Sequence, residues 1–322
     1  MLQDALGRRF YYLRLSITDV CNFRCEYCLP DGYQGRPEDA FLSLPEIQQT
    51  LTAFAALGTE KVRLTGGEPS LRRDLPQIIE MAASTPGIRQ VALTTNGYKL
   101  PKNVDRWQQA GLTQLNVSID SLDRQQFHDI TGHDRLDEVL AGVERAVALG
   151  INTKVNALLM RGLDDQLPSF LDWLKHTPVT LRFIEVMQTG DQQVFFRQHH
   201  RSGQGLKDEL LDHGWQPVLR ARDAGPAEEF WHPDYAGRIG LIMPYSPDFC
   251  DSCNRLRVSS TGRLHLCLFT EQGLDLRPWM QADVDPQQLQ QRLVALVQHK
   301  APSHLLHQGD SGATSNLSII GG

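Results

Sequence analysis

At 322 residues the chain is long enough for one large catalytic domain with an extension, or for two ordinary domains, and its 41% hydrophobic content suits a sizeable core. Lysine and arginine number 32 against 38 aspartates and glutamates, a formal net charge of -6. No global positive field therefore draws the chain to nucleic acid, and any anionic ligand must be held by local basic groups. No run reaches the ~18 apolar residues of a membrane span, and no charged segment followed by an apolar core opens the chain; these features predict a soluble, cytoplasmic protein with no membrane partner.

From Leu13 to Met187 short β-rich runs alternate with helical periodicity, the pattern of repeated βα units around a parallel sheet. The first predicted strand, over 14–18, runs into a loop bearing Cys21, Cys25 and Cys28. The next helix starts at Ser43-Leu44-Pro45-Glu46, where Ser43 can cap, Pro45 suits an early helical position and Glu46 completes a capping box. It stops at Gly58, and Gly111 and Gly150 mark similar stops. Strands are predicted over 61–65, 90–94, 114–119, 153–160 and 180–187. Six units make an α/β fold, an incomplete (βα)6 TIM-like barrel over residues 1–190, with a C-terminal extension over 191–322 carrying the remaining cysteines.

In parallel βα folds reactive groups gather at the C-terminal strand ends. The cysteine loop, Gly66-Gly67-Glu68-Pro69, Thr95-Asn96-Gly97, and Ser118 with Asp120 all fall there. Beyond Met187 the βα rhythm is lost, with a boundary near Gly190; a polar stretch with His199, His200, Gly203 and Gly205 follows, in which the two histidines read as loop or surface residues.

The six cysteines form two triplets separated by a long cysteine-free interval, which disfavours a secreted disulfide framework and suits two metal sites of three thiolates each. Cys21, Cys25 and Cys28 form C-x-x-x-C-x-x-C. Three thiolates satisfy three irons of a four-iron cubane and leave the fourth open to a substrate or cofactor. The alternative, a zinc site, is usually completed by a fourth Cys or His, and a redox dithiol leaves the third cysteine without a role. Cys250, Cys253 and Cys267 form C-x-x-C-(13 residues)-C, with Asn254-Arg255-Leu256-Arg257 directly after the second cysteine. Spacing alone does not separate iron from zinc there, and His265 is the near candidate for a fourth zinc ligand.

The run Cys21-Asn22-Phe23-Arg24-Cys25-Glu26-Tyr27-Cys28, with Gly66-Gly67-Glu68-Pro69 after the second strand, closely resembles the radical S-adenosylmethionine (SAM) superfamily. Cys250-Asp251-Ser252-Cys253-Asn254-Arg255-Leu256-Arg257, Leu266-Cys267-Leu268 and the terminal Gly321-Gly322 resemble one branch of it, the GTP 3′,8-cyclases of molybdenum cofactor biosynthesis. That resemblance implies two 4Fe–4S clusters, the first chelating SAM at its open iron and the second engaging the guanine of GTP. It implies SAM contacts from Tyr27, Gly67, Ser118 and Met187, and GTP contacts from Arg14, Arg63, Thr94, Lys154, Arg255, Leu256 and Arg257. Cys21, Cys25, Cys28, Arg255 and Arg257 are the implied catalytic set. The Gly-Gly-Glu-Pro turn is implied to meet the SAM amino group, with its glycines allowing close backbone approach, and the Gly-Gly tail to reach toward the active site.

The implied reaction begins with one electron from an external reductant and cleavage of SAM to methionine and a 5′-deoxyadenosyl radical. That radical takes hydrogen from ribose C3′ of GTP, and C3′ attacks guanine C8. The product, 3′,8-cyclo-7,8-dihydro-GTP, passes to a separate pyranopterin synthase; a homodimer is compatible with this scheme. One rival is another auxiliary-cluster radical SAM enzyme, for instance one modifying a peptide, which predicts that GTP has no effect on SAM cleavage. A second is a non-enzymatic iron–sulfur or zinc protein, which predicts full cysteine ligation and no SAM binding.

Overall fold

A computed structural model describes residues 1–35, 40–162, 165–190, 193–222, 224–269 and 273–312. Gly321-Gly322 lies outside them. The six predicted strands are β1 (Tyr12–Ser16), β2 (Lys61–Thr65), β3 (Gln90–Thr95), β4 (Gln114–Ser118), β5 (Asn152–Leu159) and β6 (Thr180–Glu185), each parallel to the next in sequence order. Between them run α1 (Leu44–Ala56), α2 (Leu75–Ser84), α3 (Leu100–Gln109), α4 (Arg124–Thr131), α5 (Leu136–Ala148) and α6 (Leu167–His176).

Side chains alternate across a strand with a period of two, so each strand offers one row to the helices and one to the interior. Leu13 and Leu15, Val62 and Leu64, Leu93, Leu115 and Val117, and Val155 and Leu181 are buried in one apolar core with Ile47 and Leu51 of α1, Ile78 of α2, Val104 of α3, Val143 of α5 and Phe170 of α6. The intervening positions on the same strands are Tyr12, Arg14, Arg63, Thr94, Ser118, Asn156 and Arg182. A barrel interior rich in arginine is thus a direct consequence of the strand register.

Three expectations need adjustment. β1 starts two residues earlier than predicted, which puts Arg14 at its centre, and β6 ends at Glu185, which leaves Met187 in the loop beyond. The stretch after Gly190 is not irregular: it holds α7 (Gln193–His199) and α8 (Gly203–Asp212), the latter capped by the Ser202 hydroxyl, which accepts from Gln204 N at 3.3 Å. His199 ends α7, and the His200 ring lies 4.7 Å from Phe196 and 5.1 Å from Tyr245. The glycines at 203 and 205 hid a helix start, and Gly203 suits the tight approach of Met243, which a side chain there would meet at 2.8 Å.

The C-terminal residues extend the same sheet. After β7 (Gln216–Pro217) and β8 (Glu228–Trp231), β9 (Arg238–Ile242) pairs parallel with β6. β10 (Arg255–Val258) pairs parallel with β1, followed by β11 (Arg263–His265), β12 (Leu274–Asp275) and α9 (Pro286–Val297). The order β12-β11-β10-β1-β2-β3-β4-β5-β6-β9-β8-β7 leaves an open arc, with one strand from beyond residue 190 added parallel to each edge of the predicted six.

The predicted cap of α1 joins these regions. Ser43 and Glu46 form the capping box, and Glu46 Oε1 also accepts from Arg277 Nε at 2.8 Å. Burial raises the Glu46 pKa, but the bonds from Arg277 and Ser43 outweigh it and hold the carboxyl below its ordinary range. A depressed folded-state pKa adds stability above the unfolded value of about 4.3, and that stability is lost as pH falls through the folded value. Urea titrations of wild type and Glu46→Gln are expected to differ most near neutral pH, in favour of wild type. The difference should shrink on acidification below about pH 5; a pH-independent difference would contradict the ion-pair reading.

Candidate functional site

The first cysteine loop is built against the glycine turn. Cys28 N and Leu29 N both donate to the Cys25 carbonyl at 2.9 Å, curling the chain so that the three thiols border one space. Phe23 is buried against His133, with ring centroids 4.6 Å apart. Gly67 N donates to Thr18 O at 3.0 Å and Glu68 N to Val20 O at 2.7 Å. A Cβ on Gly66 would lie 2.1 Å from Thr18 O, and one on Gly67 would lie 2.5 Å from the Asp19 and Val20 oxygens. The close approach that these glycines permit is thus to the backbone of the cysteine loop itself.

Glu68 is 0% exposed. Its carboxylate accepts from Ser70 N at 2.9 Å, Thr95 Oγ1 at 2.8 Å and Asn96 N at 2.6 Å. Burial pushes its pKa up against those bonds. Gly66 and Gly67 border the cavity beside the thiols, whereas Glu68 braces the turn to the end of β3.

Two cavities meet inside the arc. One, of about 1020 Å³ including its mouth, is bordered by Cys21, Cys25 and Cys28 and by the four expected SAM residues Tyr27, Gly67, Ser118 and Met187. Tyr27 OH donates to Asp120 Oδ2 at 2.7 Å, and Leu158 N donates to Asp120 Oδ1 at 2.9 Å; burial raises the pKa of both Tyr27 and Asp120. The other, of about 1040 Å³, is bordered by Cys250, Cys253 and Cys267 with Arg14, Arg63, Thr94, Arg255 and Arg257. Thr94, Asn156, Ile184 and Met187 border both. The two triplets therefore border different cavities that share these four residues.

All six cysteines are thiols rather than disulfides. Burial pushes Cys21 up to about 11 and Cys25 further. Burial also acts upward on Cys253, but Arg255 and Lys300, a backbone hydrogen bond and Arg257 outweigh it and bring the thiol down to about 7. The donor sets fit iron–sulfur clusters: each cavity presents three thiols. His265 does not border the second cavity, and burial, Arg257 and Arg263 push its pKa down to about 4.

The second cavity is dominated by positive charge. Arg257, Arg14 and Arg63 are in register on three adjacent strands, β10, β1 and β2. Arg8, Arg182, Arg255 and Lys300 also border it, and among the described residues no aspartate or glutamate does. Two like charges about 5 Å apart repel by roughly 3 kcal/mol at an effective dielectric of about 20. Cation–π contacts, such as Arg63 at 5.5 Å from the Tyr12 ring and Arg255 at 5.9 Å from the Phe249 ring, relieve only part of this. Nε of Arg63, Nε and Nη1 of Arg255 and Nε of Arg257 are buried without a hydrogen-bond partner. Burial first, and then Arg63, pushes Arg182 down to about 9. Such a cluster calls for a polyanion.

Two expected GTP residues are placed differently. Lys154 is ion-paired with Glu229 and does not border the cavity. The Leu256 side chain is 0% exposed and lies in the apolar core, since the alternation that turns Arg255 and Arg257 inward turns it outward.

Arg182 was not among the expected residues. Its guanidinium donates to Asn156 Oδ1 at 2.6 Å and 3.0 Å, and a Cβ at Gly240 opposite would meet its Cγ at 2.9 Å. Its signal lay in β6, where it occupies the inward row two residues before Ile184. Arg182→Gln is expected to weaken binding of a triphosphate nucleotide about tenfold, one lost charge-assisted contact. Lys154→Gln should matter less. Calorimetric titration with GTP checks both, and equal losses would contradict the placement.

Residues 15–174 match the model of the radical SAM superfamily, and residues 179–306 match that of molybdenum cofactor synthesis C. The chain is 57% identical over 330 aligned positions to a GTP 3′,8-cyclase of Aeromonas hydrophila subsp. hydrophila, spanning 100% of this chain and 96% of that relative. Among solved structures it resembles Streptococcus suis SuiB bound to S-adenosylmethionine, with a TM-score of 0.65 and 12% identity, covering 91% of this chain and 68% of SuiB. It also resembles HydG, a maturase of the FeFe-hydrogenase, with a TM-score of 0.52 and 15% identity, covering 63% of this chain and 48% of HydG. At those identities the likeness shows the fold alone. With its full-length relative and two matched family models, the chain belongs to the GTP 3′,8-cyclase family within the radical SAM superfamily.

Proposed function

We propose that this chain converts GTP to 3′,8-cyclo-7,8-dihydro-GTP, the first step of molybdenum cofactor biosynthesis. The observation that carries this reading is the junction of two cavities, one with three thiols and the expected SAM residues, the other with three thiols and seven cations and, among the described residues, no bordering carboxylate. Cys21, Cys25 and Cys28 would hold one 4Fe–4S cluster and Cys250, Cys253 and Cys267 another. When bound, the first would supply the electron that cleaves SAM, so that a 5′-deoxyadenosyl radical can take hydrogen from ribose C3′ before C3′ bonds to guanine C8.

The chain's own residues bind, orient and exclude water. Arg14, Arg63, Arg182, Arg255 and Arg257 grip the triphosphate, replacing mutual repulsion with bidentate phosphate contacts. Thr94 and Asn156, shared by both cavities, offer polar contacts where the ribose would face the adenosyl group. Ile184 and Met187 at the same partition keep that meeting point dry, so that a reactive primary carbon centre meets one hydrogen source. In this reading the enzyme works in the cytoplasm, takes its electron from an external one-electron reductant and passes its product to a separate pyranopterin synthase.

Anaerobic reconstitution is expected to load about eight irons per chain, two four-iron clusters. SAM, dithionite and GTP should then yield 5′-deoxyadenosine and the cyclised nucleotide. Cys21→Ala should abolish both products; GTP-dependent 5′-deoxyadenosine from that variant would contradict the assignment. SAM cleavage by wild type that is indifferent to GTP would favour a peptide-modifying relative instead.

A further inference from the structure

Arg8 and residues 300–304, far apart in sequence, meet at the second thiol triplet. Residues 300–304 form a strap that borders the same cavity as Cys250, Cys253 and Cys267. Arg8 pins it, donating from Nη1 to Pro302 O at 2.7 Å and from Nη2 to Ala301 O at 2.7 Å, and from Nη1 to Cys250 O at 3.3 Å. Asp4 holds Arg8 in turn, at 2.6 Å from Nε, with side chains only 0% and 8% exposed. The strap begins with Lys300, 7% exposed, whose ammonium donates to the carbonyl of Leu266, the residue before Cys267. That ammonium lies 5.7 Å from the Phe10 ring centroid; burial pushes its pKa down, and Cys253 and Cys267 pull against that shift.

A buried ammonium is costly unless negative charge stands near it. A carbonyl and an aromatic face supply partial charge only. Three thiolates and their cluster would supply the rest.

We propose that Lys300 is a positioning residue for the second triplet, fixing the Cys267 loop through the Leu266 carbonyl and supplying the positive charge that favours the reduced state of a cluster there, with Arg8 and Asp4 locking the strap. This rests on the reading that Cys250, Cys253 and Cys267 hold a cluster. Removing the charge should make one-electron reduction harder, because the added electron loses a nearby counter-charge.

The test uses the full chain with Cys21→Ala, Cys25→Ala and Cys28→Ala, so that only the second cluster assembles. Lys300 is compared with Lys300→Arg and Lys300→Gln by iron content and by spectroscopically monitored titration with dithionite against redox mediators. Lys300→Gln is expected to show an about tenfold smaller reduced-to-oxidised ratio at fixed potential, about 59 mV for one electron. Lys300→Arg should stay within about twofold of Lys300, since the charge is kept. Equal potentials in Lys300 and Lys300→Gln would overturn the proposal. Should Lys300→Gln fail to hold iron, retention by Lys300→Arg supports the proposal and loss from both overturns it. If the triple variant with Lys300 intact holds no iron, it is the cluster reading itself that fails.

Discussion

Buried arginines crowd the inner face of one sheet, with no carboxylate bordering their cavity among the described residues. Arg257, Arg14 and Arg63 stand in register on neighbouring strands, and Arg182 enters from the far side on β6. Like charges side by side on a sheet are destabilising, so the apolar layer outside must hold the strands in place. The uninterrupted row of Leu13, Leu15, Val62, Leu64 and Leu93 against α1 and α2 does so. The interior is thereby prepared for a polyanion in a chain whose net charge is -6. The positive charge of this cavity is local, and it is set by strand register.

The two thiol triplets are held by different means. Around the first, backbone meets backbone: Gly66 and Gly67 let the turn after β2 press onto residues 18–20, and Glu68 ties that turn to β3. Around the second, charge does more. Arg255, Lys300 and Arg257 pull the Cys253 thiol down to about 7, while Cys21, with burial dominant and Glu68 nearby, is pushed up to about 11. The loop carrying Cys250 and the strap over it are joined by Arg8, so the N-terminal segment belongs to the site although it lies far from it in sequence.

Much of this was legible in the residues. The cysteine spacings, the glycine turn and the capping box at Ser43 can be read from the residues, and five of the seven residues expected to contact nucleotide border the second cavity, from the inner rows of β1, β2, β3 and β10. Other features were hidden for physical reasons. β9 and β10 are short and contain glycine or arginine where a strand pattern wants apolar residues, because their inner rows face the ligand cavity rather than a second apolar layer. Lys154 looked like Arg14, a lone cation on an inner strand, but its partner Glu229 comes from β8, about 75 residues away, which no local pattern announces. Arg182 was passed over because an isolated arginine in a strand carries no spacing signal; only register with Asn156 on β5 reveals its direction.

On the proposed function, the two cavities place the ribose of GTP against the adenosyl group of SAM. GTP deuterated at ribose C3′ tests it most directly. With reconstituted enzyme, SAM and dithionite, the 5′-deoxyadenosine formed is expected to carry one deuterium from the nucleotide. Unlabelled 5′-deoxyadenosine, formed at the same rate with and without GTP, would contradict it.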